Sequence, residues 1–326
     1  MTLAAVGDVR LTDHRAADNS PVFGDCADLL AAADLSLVNL ECALATGGEP
    51  QPKRYVFRGP LAAADALVRA GVDAVCVANN HALDYGRAAF RETLGACRSR
   101  GLLVVGGGED SAAARQAVFL RAGRPDQHRP RVALLAYSNM QPTSFYAGPS
   151  RSGVNPTDEK RLREDVEAAS RQADLTVVSF HWGDELSPAP NERQRRLAHL
   201  AVDLGADLVI GHHPHVLQGL ERYRRSVIAY SLGNFAFPSH SPQTRETAVL
   251  LCRWRPDELL VELAPARITG RTPHRLAGEE AAKLLRRLAD LSAGLGTPLE
   301  VSGGSARLRT NPGSGVQGSE TLIPDP

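Results

Sequence analysis

The chain has 326 residues, 37 basic against 37 acidic, and is 43% hydrophobic. That length buries the core of one large α/β domain or two small ones. A formal charge of zero removes the electrostatic ground for a nucleic-acid or anionic-membrane partner. No apolar run approaches the ~18 residues of a membrane helix, so no membrane anchor is expected. The start, Met1 to Val6 and then Gly7-Asp8, has neither the basic segment nor the apolar length of a secretory signal. The cysteines (Cys26, Cys42, Cys76, Cys97, Cys252) are odd in number, mostly inside apolar runs and never spaced Cys-x-x-Cys. A reduced, cytoplasmic chain with buried thiols and no cysteine zinc site is the expectation.

In chain order, short apolar runs predict strands over residues 3–6, 35–40, 74–77, 102–105, 132–136, 175–180, 208–210, 227–230, 248–252 and 259–263. Alanine-rich helical patterns fall between them at 60–70, 87–98, 158–171 and 192–204. Continuous apolar strands separated by helices point to a mainly parallel sheet covered on both faces. After about Ser226 the runs follow one another with only turns between, which favours antiparallel pairing. Residues 276–293 read as a last amphipathic helix. From Gly294 the chain turns Gly, Ser, Thr and Pro rich and is expected to hold little fixed structure. The expected organisation is a main domain over 1–270, a helical extension over 271–293 and a flexible tail over 294–326.

An internal echo carries more than any single element. Residues 33–41 (ADLSLVNLE) match residues 173–181 (ADLTVVSFH) in pattern. Gly71-Val72-Asp73 leads through a strand to Asn79-Asn80-His81, and Gly205-Ala206-Asp207 leads to Gly211-His212-His213-Pro214-His215. Each time an Asp precedes a buried strand and a ligand-type residue follows it. Parallel strands present their carboxyl ends along one edge, where open α/β folds place their sites. Asp8, Glu41, Asn80, His181, His213 and His215 are therefore predicted to converge.

The residues then divide by chemistry. In an extended Gly211 to His215 segment, His213 and His215 face one way and His212 the other, and Pro214 favours that geometry. Two imidazoles side by side suit a divalent metal. His181 is a further ligand candidate, with Glu185 either supporting it or binding substrate. Asp8 and Glu41 supply carboxylates whose burial calls for a cation. Asn80 beside His81 allows an amide oxygen on the metal and an imidazole for proton work. Asp84 either orients His81 or caps the next helix, and Asn79 fits a turn. Lys53, Arg54 and Arg58 either grip an anionic substrate or form a solvated loop face. Ser231 to Phe235, with Asn234, either closes the pocket or makes a tight turn. No Gly-x-x-x-x-Gly-Lys loop or Gly-x-Ser-x-Gly elbow occurs, which argues against a P-loop enzyme or an α/β-hydrolase.

The succession Gly7-Asp8, Asn39-Leu40-Glu41, Ala78 to Gly86, His181-Trp182-Gly183-x-Glu185, Gly211 to Val216 and Tyr230 to Phe235 resembles the CapA family. This is the poly-γ-glutamate capsule biosynthesis family, within the calcineurin-like metallophosphatase superfamily. The resemblance covers roughly residues 3–255. It implies an α/β fold, a four-layer αββα sandwich with mixed sheets and a metal site at one edge. By position it implies Asp8, Glu41, Asn80, His181, His213 and His215 as metal ligands and His81 as the catalytic histidine. The superfamily's first motif is usually Asp-x-His, but here Val9 and Arg10 follow Asp8, and Glu41 stands where an Asp usually bridges two metals. One or two ions are thus compatible with the pattern.

The sulfur-free donor set suits Mn²⁺, Fe or Zn²⁺. The expected function is a metal-dependent hydrolase acting on a phosphoester or amide. Metal-activated water would react, His81 would act as acid/base with Asp84 beside it, and Arg54, Arg58, Glu185 and Asn234 would bind substrate. The substrate classes are a small molecule, a peptide or an anionic polymer. Rival readings are polyglutamate or peptide modification, including α-carbon epimerisation, and a non-catalytic module that binds anionic polymer.

Overall fold

Two β-sheets face each other across an apolar layer, with helices on both outer faces, in a computed structural model that describes residues 1–12, 21–123, 129–310 and 322–323. The large sheet is built on parallel strands Thr2–Val9, Leu35–Leu40, Ala74–Cys76 and Leu103–Val105. Antiparallel strands extend it beyond Thr2–Val9, first Glu246–Arg255, then Glu258–Thr269. The smaller sheet runs parallel through Arg131–Ser138, Leu175–His181, Leu208–His212 and Ser226–Ala229, with antiparallel edges at Val118–Arg121 and Leu220–Tyr223. This is the four-layer α/β sandwich with mixed sheets, and antiparallel pairing does dominate late in the chain.

Burial on both faces explains why the strands read as unbroken apolar runs. Within Thr2–Val9, Leu3 and Ala5 point into the layer between the sheets, while Ala4 and Val6 point out to the helices. Leu175–His181 divides the same way, Leu175 and Val177 inward, Val178 and Phe180 outward. Ala27–Ala31, Ala63–Arg69 and Gly86–Arg98 cover the large sheet, and Glu159–Ser170 and Glu192–Asp203 cover the small one. The last of these begins at a capping box in which Asn191 and Gln194 satisfy each other's backbone N–H groups.

The Asp of each echoed unit has a mechanical role. Asp34, Asp73, Asp174 and Asp207 each accept, through Oδ2, the backbone N–H of a residue at the start of the neighbouring parallel strand: Thr2 (2.7 Å), Ser36 (2.8 Å), Arg131 (2.7 Å) and Thr176 (2.7 Å). Each of the four also donates its own N–H to the carbonyl of that same residue, at 2.8–3.2 Å. The pair of bonds pins strand register at the edge opposite the site, so the strands end level at the other edge.

All ten predicted strands are present. The exception to expectation is the start of the tail: Glu300–Ser302 and Ser305–Arg309 are strands of the large sheet. Ala306 and Leu308 alternate into the inter-sheet core, and Ser305 and Arg307 meet the buried Glu262 on the other face at 2.5 and 3.0 Å. Two apolar residues in a Gly/Ser-rich stretch are too weak a pattern to read as a strand without that partner. The helix Gly278–Ala293 sets Leu284, Leu285 and Leu288 into the same core. Tail residues 311–321 and 324–326 lie outside the described residues.

Candidate metal centre

The carboxyl ends of the strands of both sheets meet at one edge. The large sheet brings Asp8, Asn39, Glu41 and the Asn79–His81 loop, and the small sheet brings His181, His212 to His215 and Asn234. The approach is close enough to exclude side chains. A Cβ on Gly7 would lie 2.0 Å from the Gly233 carbonyl oxygen; within the small sheet, one on Gly211 would lie 1.9 Å from that of Tyr230.

Asp8 is fully buried and accepts from Asn39 Nδ2 (2.8 Å) and from the backbone N–H of His213 (3.2 Å). His215 Nδ1 stands 3.1 Å from Asp8 Oδ2 and 2.9 Å from Asn234 Oδ1, which leaves its Nε2 turned inward. His181 Nε2 lies 2.9 Å from Asn80 Oδ1. Glu41 Oε1 is the centre of the arrangement. It is buried with no hydrogen-bond partner, and the Nε2 atoms of His81, His181 and His215 surround it at 3.9, 3.8 and 3.8 Å. His213 Nδ1 is likewise buried and unpartnered.

Those separations are too long for hydrogen bonds. They match the ~3–4 Å between two ligand atoms that share an ion at bond lengths of about 2.1 Å. Two sets, Glu41 with His213 and His215, and Asp8 with Glu41 and His181, each offer ligand atoms within 4.8 Å of one another. Oxygen and imidazole donors without sulfur suit a hard to borderline divalent ion. The residues present fit a metal.

Electrostatics points the same way. Burial and the neighbouring Asp8 charge push the Glu41 carboxyl well above the usual carboxylate range. Burial also acts on Asp8, but the imidazoles of His212 and His215 beside it outweigh burial and hold Asp8 well below. Burial would lower His215, yet the carboxylates of Glu41 and Asp8 outweigh it and raise the imidazole to about 10. Burial lowers His213 to about 3 and takes His181 well below its ordinary value. In the protein alone, the His215 imidazole stands between the two buried carboxyl groups, 3.1 Å from Asp8 and 3.8 Å from Glu41.

The His-x-His geometry differs from the extended reading. The strand stops at His212, and His213 and His215 adopt left-handed backbone with φ of 97° and 58°. Both rings reach the cluster through a strained turn rather than through strand alternation. Asp8 holds that turn on the His213 N–H and Leu186 on the Pro214 carbonyl, and such strain costs about 1–3 kcal/mol per residue. His212, expected to face away, has Nδ1 3.5 Å from Asp8 Oδ1.

Of the other expected residues, His81 and Asp84 come together: His81 Nδ1 meets Asp84 Oδ2 at 2.6 Å. Asp84 caps nothing, since the helix Gly86–Arg98 starts after Tyr85 with no side-chain cap. Asn234 joins through His215. Arg54 and Arg58 are exposed, over the rings of Tyr55 (5.1 Å) and Tyr85 (4.4 Å), and Glu185 is exposed. Among the described residues none of these three bonds to the cluster. The sequence reading missed Asn39 and Asn79 as site residues. Asn79 Nδ2 donates to Asn39 Oδ1 (3.1 Å), and Asn39 Nδ2 in turn reaches Asp8. An amide inside an otherwise apolar strand was the available signal. It also missed Phe57, which stacks on His81 at 4.0 Å, and Arg10, whose guanidinium lies 4.1 Å over Phe57.

A two-sheet sandwich with a buried carboxylate and imidazole cluster at its edge defines a protein built around a divalent-metal centre. The chain belongs to the bacterial capsule synthesis protein PGA_cap family, which it matches over residues 2–239. It is 38% identical over 173 residues to the PGA biosynthesis protein CapA of Bacillus subtilis, covering 53% of this chain and 44% of that one. It is 33% identical over 217 residues to the capsule biosynthesis protein CapA of Bacillus anthracis, covering 64% and 51%. The chain thus spans about half the length of these relatives. Among solved structures it is similar to the NAD nucleotidase of Haemophilus influenzae, with TM-score 0.48 and 10% identity over 88% of this chain and 63% of that one. No chemistry passes from so distant a likeness. No helix among the described residues is long and apolar enough to cross a membrane.

Proposed function

We propose that the chain is a metal-dependent hydrolase that cleaves a phosphoester or amide bond with His81 as its acid/base. The observation that carries this reading is the placement of His81. It is a buried imidazole fixed through Nδ1 on Asp84, with Nε2 3.9 Å from Glu41 Oε1 at the centre of the cluster. Asp8, Glu41, Asn80, His181, His213 and His215 would hold the metal. A divalent cation there supplies Lewis acidity and lowers the pKa of a water molecule.

Asp84 can only accept, so Nδ1 carries the proton and Nε2 has the lone pair. Burial holds His81 below its ordinary value despite Asp84, which keeps the ring neutral. Nε2 therefore takes a proton from the attacking water and returns it to the departing oxygen or nitrogen. An anionic polymer substrate is in keeping with the PGA and capsule biosynthesis of the relatives' names. The same neutral Nε2 supports a second reading, proton abstraction at a peptide α-carbon, which likewise needs a base.

The test is turnover of bis(p-nitrophenyl) phosphate and γ-glutamyl-p-nitroanilide by Mn²⁺-, Fe²⁺- or Zn²⁺-loaded protein. His81→Ala is expected to keep the metal and lose about 10²–10⁴-fold in turnover. Full turnover by His81→Ala with metal bound overturns the assignment.

A further inference from the structure

We propose that Lys53 is a positioning residue of this centre, its ammonium fixing the Asp84 carboxylate and through it the His81 ring. The inference rests on the acid/base reading of His81 given above. Residues 51–57 form an irregular loop in which Pro52, Arg54 and Tyr55 are exposed, so a solvated lysine is the ordinary expectation. Instead the Lys53 side chain is only 19% exposed and turns inward. Holding it there costs side-chain freedom, which a merely decorative contact would not offset.

Its Nζ donates to Asp84 Oδ1 at 2.6 Å and to the backbone carbonyl of Asn80, and lies 5.2 Å over the Phe145 ring. Asp84 is fully buried, and its other oxygen accepts the Phe57 N–H at 2.7 Å and His81 Nδ1 at 2.6 Å. The carboxylate is therefore held from three directions, with Lys53 alone on Oδ1 among the described residues. Lys53 Nζ and His81 Nδ1 are 3.4 Å apart. Both aim at the same carboxylate, so they are neighbouring donors and not bonded to each other. Through Asn80 the ammonium also braces the turn that carries the His81 ring. Removing it leaves a buried carboxylate oxygen without a donor and two of the ring's supports loose.

Lys53→Met and Lys53→Arg, loaded with Zn²⁺, are compared with the wild-type chain. Supports of this kind change activity by about 10–100-fold. For Lys53→Met the expected result is that loss in kcat on bis(p-nitrophenyl) phosphate, with KM within about twofold, Zn²⁺ content unchanged, and most of the loss recovered in Lys53→Arg. A low-field proton resonance for His81 Nδ1–H, assigned by its disappearance in His81→Ala, is expected in wild type and Lys53→Arg and broadened by exchange in Lys53→Met. A Lys53→Met protein that keeps this resonance unbroadened overturns the proposal. If wild type leaves the phosphodiester intact, the hydrolase reading fails while the resonance still decides the role of Lys53. Should Lys53→Met not fold, Lys53→Gln is read by the same resonance and the same criterion.

Discussion

Loading metal into the centre should expel protons, and the count follows from the buried charges. His215 stands at about 10 in the protein alone because the carboxylates of Glu41 and Asp8 outweigh its burial. At about pH 7.5 it is protonated, and an imidazole must be neutral to bind a metal. The gap, about 10 minus 7.5, is about 2.5 units, so deprotonation costs about 3 kcal/mol, or a factor of about 300 in apparent affinity. Glu41, raised by burial and by Asp8, can only add to that release. His181 and His213 are lowered by burial and are already neutral, so they add none. At least about one proton is therefore released per ion. The logarithm of apparent affinity rises by at least one for each pH unit until about pH 10. Isothermal titration of Zn²⁺ into metal-free protein, in buffers of differing ionisation enthalpy at one pH, gives the number directly. His215→Ala should reduce it by about one. Zero release with affinity flat from pH 7 to 9 would refute the electrostatic reasoning.

Further outcomes follow from the same geometry. The folded pKa of His215 lies above its unfolded value of about 6.5. Its stabilisation of the metal-free chain is therefore complete below about pH 6.5 and lost as pH rises toward about 10, and thermal melts should show the midpoint falling across that window. Asp73→Ala strips the Ser36 N–H of its carboxylate acceptor and should cost about 1–3 kcal/mol in urea unfolding. Asp73→Asn retains an acceptor and should lose less than half of that; equal stability of Asp73→Ala and wild type would mean the pin is idle. In Gly7→Ala the new methyl falls 2.0 Å from the Gly233 oxygen. The two backbones beside Asp8 must part, and both metal content and stability should fall, the latter by about 1–3 kcal/mol.

Much of this was legible in sequence because two-sided burial writes itself into composition. Strands covered on both faces must be apolar throughout, so all ten could be read, and the residues after them could be assigned to one edge. Asp8, Glu41, Asn80, His181, His213 and His215 converge for that reason. The echoed Asp residues were visible as a pattern, but their pinning bonds run to the next strand, across 31–43 positions of chain. A pattern within one segment cannot say which neighbour accepts it. The turn at His213 was misread because Pro214 favours an extended predecessor, whereas a carboxylate 205 positions away holds the His213 N–H in a left-handed turn. The strands after Gly294 likewise depend on the large sheet they join, and the inward turn of Lys53 depends on Asp84. Sequence determined which residues are apolar enough to be buried and which donors follow them; only tertiary structure decided where each donor points, because those directions are set by partners distant along the chain.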